Sequence, residues 1–299
     1  MDMLKIENLK KRFGDKEVLK ELSLTVPEKS IFGFIGKNGA GKTTTMKTIL
    51  GLMKPDEGEI FVNGEKVVFG QTSTNQYIGY LPDVPEYYSF MSPTEYLHFC
   101  GEITGLSKAE RTKRADELLE LVGLKGETHR IKGFSRGMKQ RLGIAQALLN
   151  KPKLLICDEP TCALDPVGRK EILDILMAVK NETTVLFSTH ILSDVERICT
   201  DIAFLNEGTV AIQGKIGDIK STYRTDEYII ETETEKELRV LTSAFTHLNQ
   251  TGRTMLKFKE NQHSLFEVMN FITDKKLPVL KIERVEPTLE SMFMEVVKK

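Results

Sequence analysis

The run Gly36-Lys37-Asn38-Gly39-Ala40-Gly41-Lys42-Thr43 has the spacing G-x-x-x-x-G-K-[ST] of a loop that cradles polyphosphate, the P-loop. Its glycines let backbone N–H groups turn inward around phosphate oxygens, and a helix opening at Lys42 adds the favourable end of its dipole. Lys42 would reach the β- and γ-phosphates of a nucleoside triphosphate, Thr43 would place its hydroxyl on Mg²⁺, and Thr44 could hydrogen-bond a phosphate. By average composition, chance supplies this octet in about one chain in a hundred of this length. Further along, an apolar run at 153–157 delivers Asp158 and Glu159 side by side. Strand alternation points the two carboxylates in different directions, so Asp158 suits a Mg²⁺ ligand and Glu159 a general base for an attacking water. An acidic pair after a strand is more often a solvated turn, but the phosphate loop upstream reverses that prior. His190 closes a third apolar run, 184–187 followed by Ser188-Thr189. A lone histidine is usually structural, and this one gains weight from the motifs before it.

Those residues need elements to hold them. A strand at 30–35 enters the glycine turn, and a helix at 42–50 leaves it. From about residue 4 to 216 short apolar strands alternate with helical patterns, the mark of an α/β sheet with helices on its faces. The three motifs then fall at carboxyl ends of strands, where open parallel sheets bind ligands. Residues 85–150 switch to mostly helix, clearest at 93–101 and 108–123, and read as a helical insertion. Beyond about 221, strands at 228–230, 254–258 and 279–285 with helices between and after them suggest a small α+β appendage. The expected division is a nucleotide-binding domain at 1–220 and an accessory domain at 221–299. The last helix would pack through Leu289, Met292, Phe293 and Val296.

Of 299 residues, 40% are hydrophobic and 28% charged, enough for a large core and for about two domains. Lysine and arginine (42) nearly cancel aspartate and glutamate (43), so charge recommends no nucleic acid or anionic lipid as partner. Cys100, Cys157, Cys162 and Cys199 show no C-x-x-C pairing and read as small apolar residues. Residues 1–12 lack a signal-peptide apolar region, and no apolar run approaches the ~20 residues of a membrane span. Membrane work is therefore expected of a different polypeptide.

Between the phosphate loop and the acidic pair, Phe134-Ser135-Arg136-Gly137-Met138 opens a helical run, with Ser135 placed as N-cap and Gly137 allowing close backbone approach. In this company and order the segment resembles the signature sequence Leu-Ser-Gly-Gly-Gln of ABC ATPases. The resemblance to ABC transporter ATP-binding subunits covers about residues 4–214. It implies the P-loop NTPase fold of an ABC ATPase, ATP with Mg²⁺, and hydrolysis coupled to transport. By the same resemblance Phe13 matches the aromatic that stacks on adenine, Asp165 in Ala163-Leu164-Asp165 matches the D-loop, and His190 matches the switch histidine that contacts the γ-phosphate. Ser135, Arg136, Gly137 and Met138 of one subunit would then close over ATP held by Lys42 and the loop of another. With one P-loop and one signature, the chain is expected to need a second nucleotide-binding subunit, identical or sibling. An integral membrane permease at the cytoplasmic face of the cell membrane is the other implied partner.

Two departures stand out. The Q-loop glutamine that follows the strand near 77–81 in the family is replaced by Asp83, which could still coordinate Mg²⁺ but cannot donate when ionised. Arg136 and Met138 replace a glycine and the glutamine of the signature. Together with the appendage, these features resemble the exporter-type branch that includes bacitracin-resistance ATPases. The rival reading is a soluble ABC ATPase acting on ribosomes or DNA. Such proteins typically carry two cassettes and a charged linker in one chain, and neither is present here.

Overall fold

The computed structural model describes residues 2–245, 248–259 and 265–298, with backbone alone at 296–298. The Val296 side chain, expected on the closing helix, lies outside the described residues. The chain divides into two compact units, one extending to Gly217 and a second spanning Asp218–Glu295.

The first unit opens with two long strands, β1 (Asp2–Phe13) and β2 (Lys16–Pro27), paired antiparallel. Next comes β3 (Ile31–Gly36), buried at every position, as a central strand covered on both faces must be. Helix α1 (Lys42–Ile49) leaves the phosphate loop, followed by β4 (Glu57–Val62), β5 (Glu65–Lys66) and β6 (Ile78–Leu81). Three helices then make the insertion: α2 (Pro93–Ile103), α3 (Lys108–Leu121) and α4 (Arg136–Ala147). The first two begin with capping boxes, Ser92 with Glu95 and Ser107 with Glu110, each satisfying two otherwise unpaired N–H groups. Strand β7 (Leu154–Asp158), helix α5 (Pro166–Val179), strand β8 (Thr184–Thr189) and helix α6 (Leu192–Ile198) follow, then β9 (Asp201–Asn206) and β10 (Thr209–Lys215).

Two sheets form. One has the order β10-β9-β3-β8-β7-β6, parallel throughout except for β10. The other is antiparallel, β2-β1-β4-β5, and its existence is a finding that the expectation of a single helix-flanked sheet did not contain. Its strands alternate buried leucines and isoleucines with charged residues, so one face packs and one meets water. Leu4, Ile6, Leu22 and Leu24 from that buried face share a core with Phe32, Phe34, Met46, Leu154 and Ile156. This core fixes α1 and the ends of β3 and β7 relative to each other.

Helix α7 (Ile216–Thr222) spans the division at Gly217, and the second unit continues with β11 (Glu227–Thr232), α8 (Glu235–Ala244), β12 (Asn249–Gln250), β13 (Met255–Lys259), α9 (Leu265–Asp274), β14 (Val279–Arg284) and α10 (Leu289–Lys298), the last as far as Glu295. Its antiparallel sheet, β12-β13-β11-β14, buries Ile230, Leu256 and Phe258 against Leu238, Leu241 and Val268 of the two helices. No helix among the described residues is long and apolar enough to cross a membrane.

Candidate functional site

The phosphate loop leaves β3 at Gly36, where an added Cβ would stand 2.9 Å from the Leu205 carbonyl oxygen. Gly41 lies just before α1 with φ 111°, a left-handed conformation, and a Cβ there would meet Leu19 of β2 at 2.7 Å. Glycine at Gly41 is thus required twice, by backbone angle and by space. No side chain caps α1, so its first N–H groups face the loop as anion donors. Lys37, Asn38 and Gly39 are exposed, Ala40 and Thr44 half-buried.

Lys42 is only 6% exposed and its ammonium folds back into the loop. It donates to the carbonyls of Gly36 (2.7 Å) and Lys37 (3.3 Å). It also lies 3.1 Å from Glu159 Oε1, an ion pair without the angles of a hydrogen bond. The neighbouring Thr43 donates its hydroxyl to Asp158 Oδ2 at 2.8 Å, and Ser188 donates to Asp158 Oδ1 at 2.6 Å. Asp158 is buried, at the end of β7, directly beside Ser188 in the parallel β7–β8 register. Its charge acts on β6 as well: burial first, and Asp158 next, push the Tyr80 phenol up to about 12. Burial, with Asp158 again second, also raises the Cys157 thiol, which fits the reading of an inert apolar cysteine.

Glu159 follows with φ 49°, a left-handed conformation uncommon for a residue with a Cβ. Its N–H donates to both the carbonyl and the hydroxyl of Ser188, each at 3.1 Å. The carboxylate then spans two cations or potential cations: Oε1 meets Lys42, and Oε2 lies 2.9 Å from His190 Nδ1. Lys42, Thr43, Asp158, Glu159 and His190 therefore form one cluster at the mouth of the phosphate loop. A hydroxyl and a carboxylate 2.8 Å apart are hard oxygens of the kind Mg²⁺ takes alongside phosphate oxygens and water, so Thr43 and Asp158 fit that ion.

Asp83 is not in this cluster. Its carboxylate stands 3.5 Å from Arg136, both side chains about half exposed, and its carbonyl accepts from Gln140 at 2.9 Å. Among the described residues no three His, Cys, Asp or Glu side chains gather as a metal-holding group. Asp83, expected as a metal ligand, stands here in an ion pair with Arg136, whose side chain stays about half exposed. Ser135 caps α4, accepting from the Met138 N–H at 3.2 Å. A Cβ on Gly137 would meet nothing nearer than 4.0 Å, there Leu164 and the Ser135 hydroxyl. Among the described residues no hydrogen bond or ion pair links Ser135, Arg136, Gly137 or Met138 to the phosphate-loop cluster. Asp165 caps α5, accepting from the Gly168 N–H at 2.8 Å. Phe13 is 48% exposed at the hairpin joining β1 to β2, with the Lys11 ammonium 5.6 Å from its ring centroid. The start of the same β2, at Val18 and Leu19, packs on Gly41.

Sequence reasoning passed over Ser188, which holds Asp158 and the Glu159 backbone together. The available signal was a serine at the inner end of an otherwise apolar strand. It also passed over Thr161, Arg169 and Asp194, whose polar contacts only the folded chain reveals.

This loop-strand-helix arrangement, with its acidic pair and neighbouring histidine, is that of a nucleotide-binding cassette, and the comparisons specify which. Residues 19–162 match the ABC transporter family, and residues 214–297 match the C-terminal domain of ATP-binding proteins of the DrrA1-3-like kind. The uncharacterized ABC transporter ATP-binding protein YxlF of Bacillus subtilis (strain 168) is 37% identical, with 99% of each chain covered. The bacitracin transport ATP-binding protein BcrA of Bacillus licheniformis is 33% identical over 99% of this chain and 97% of its own. Among solved structures, the dimeric bacterial ABC transporter cassette MJ0796 superposes with a TM-score of 0.65 at 27% identity, covering 72% of this chain and 99% of that one. The chain belongs to the ATP-binding proteins of ABC transporters, a family that hydrolyses ATP to power transport.

Proposed function

We propose that the chain is the ATPase subunit of an exporter, with the cluster at the phosphate loop as its hydrolytic site. The observation that supports this most is the Glu159 carboxylate shared between Lys42 at 3.1 Å and His190 at 2.9 Å. When triphosphate enters, the Lys42 ammonium exchanges Glu159 for β- and γ-phosphate oxygens. Glu159 is then free to accept a proton from water, while His190 holds its other oxygen and the γ-phosphate in place. Water attacks the γ-phosphorus in line, the bond to the β-γ bridging oxygen breaks, and ADP and phosphate leave. Mg²⁺, held by Thr43 and Asp158, would neutralise phosphate charge. Backbone N–H groups of the loop orient the phosphates, and Phe13 offers its exposed ring to adenine.

The signature Ser135-Arg136-Gly137-Met138 lies apart from its own chain's loop, so it serves a second nucleotide-binding subunit, with Asp165 near that interface. A multispanning permease at the cytoplasmic face of the membrane completes the transporter. The drug-transport name of BcrA, similar over nearly the whole chain, supports export as the direction. Glu159→Gln tests the site: ATP binding persists, turnover falls by about 100-fold or more, and a closed dimer accumulates on size exclusion. Wild-type turnover in that variant would remove Glu159 from the role of base.

A further inference from the structure

Behind the cluster lies a second polar network that neither the phosphate loop nor the signature uses. Asp194, 4% exposed, receives Thr161 Oγ1 on Oδ2 at 2.7 Å and Arg169 Nη2 on Oδ1 at 2.6 Å. Thr161 is fully buried, and the Arg169 guanidinium also reaches Ser193 Oγ at 3.3 Å. A carboxylate this deep persists only with its charge paired and its oxygens hydrogen-bonded, and both conditions are met here, with one donor on each oxygen.

The positions matter more than the burial. Thr161 stands two residues after Glu159, in a tight loop where Cys162 N–H donates to the Glu159 carbonyl at 3.1 Å and Ala163 takes φ 54°. Arg169 lies in α5 one turn past Asp165, donating its N–H to the Asp165 carbonyl at 2.9 Å. Asp194 lies in the first turn of α6, four residues after His190. One carboxylate therefore ties together the three segments that carry Glu159, Asp165 and His190. Two left-handed residues, Glu159 and Ala163, sit in the loop so tied, and such backbone persists only where surrounding contacts over-determine it.

Resting on the proposed hydrolytic role of Glu159 and His190, we infer that Thr161, Asp194 and Arg169 are positioning residues for hydrolysis. They fix the Glu159 carboxylate relative to His190 and couple both to the D-loop, without touching nucleotide themselves. Displacement of a reacting group by about 1 Å costs on the order of 100-fold in rate, so the effect belongs in kcat and not in ATP affinity.

The test is a pair of substitutions at Thr161 in the full chain. Thr161→Val keeps the branched shape and removes the hydroxyl; Thr161→Ser keeps the hydroxyl and removes a methyl. The inference expects kcat to fall about tenfold or more in Thr161→Val, with KM for ATP within about twofold, and Thr161→Ser to stay within about twofold of wild type. Asp194→Asn should lower kcat in the same way. Wild-type kcat in Thr161→Val overturns the inference, as does equal loss in Thr161→Ser, which would mark packing as the cause. A fall in ATP affinity matching the fall in kcat also overturns it. Failure of the wild-type chain itself to hydrolyse ATP would instead overturn the underlying ATPase reading, so the two failures are distinct.

Discussion

Asp83 and Arg136 each stand where the family pattern has a different residue, and the fold brings the two departures together. Their 3.5 Å contact is about half exposed, so solvent screens it and the pair contributes less than about 1 kcal/mol to stability. Its consequence is chemical. An anion engaged with Arg136 is not a ligand waiting at Thr43 and Asp158. Asp83→Asn should therefore leave the Mg²⁺ dependence of ATP turnover unshifted, measured as the half-saturating Mg²⁺ concentration at fixed ATP. A clear rise in that concentration would return Asp83 to the metal. The residue types for phosphate, metal and base were legible from local spacing because the loop pattern lies within eight consecutive residues. What was not legible is their meeting: Thr43 reaches Asp158 across 115 positions and His190 reaches Glu159 across 31. Ser188 illustrates the limit, since a serine ending an apolar strand gains its role only from the neighbouring strand's register.

At the scale of elements, helix α4 is the part that couples distant sites. Its first turn carries the signature, Arg136 and Gln140 hold the Asp83 segment, and the Tyr87 hydroxyl donates to the Lys139 carbonyl. Its last turn rests on edge strand β6 through Gly79, where an added Cβ would lie 2.1 Å from the Ala147 carbonyl oxygen. That neighbour is backbone and cannot rotate aside. Gly79→Ala must therefore separate strand from helix, at about 1–3 kcal/mol, with a lowered thermal midpoint as the measurement. ATP affinity should hold, because the phosphate loop sits on β3 and α1, two strands removed from the strand that pairs with β6. An unchanged midpoint would mean that α4 and β6 are not seated this closely. The helical and central strand segments were legible because their apolar runs and caps are local. The sheet formed by β1, β2, β4 and β5 was not, since β1 and β4 pair across two intervening strands, the phosphate loop and a helix. Charged residues also interrupt β1 and β2 at nearly every outward position.

For the whole molecule, the decisive proposition is that the phosphate loop of one copy works with the signature of another. The chain holds one of each, and among the described residues no hydrogen bond or ion pair joins its own Ser135 or Gly137 to its own loop. Gly137 has open space around it, with no atom within 4.0 Å of an added Cβ except at that limit, so Gly137→Glu should fold normally while placing a carboxylate where phosphate must approach. Lys42→Ala removes the loop's cation, whose partners are the Gly36 and Lys37 carbonyls and Glu159. Each variant alone should lose turnover as a homodimer. Mixed in equal amounts, half the dimers pair one variant with the other, and each such dimer contains one intact loop facing one intact signature. Recovery of about a quarter of wild-type activity is expected if pairing is random and the two-fold sites act independently. Recovery should grow with total protein concentration, as association requires. Turnover by either variant alone, or wild-type turnover per chain that ignores concentration down to a demonstrated monomer, would show that a single copy completes the site by itself.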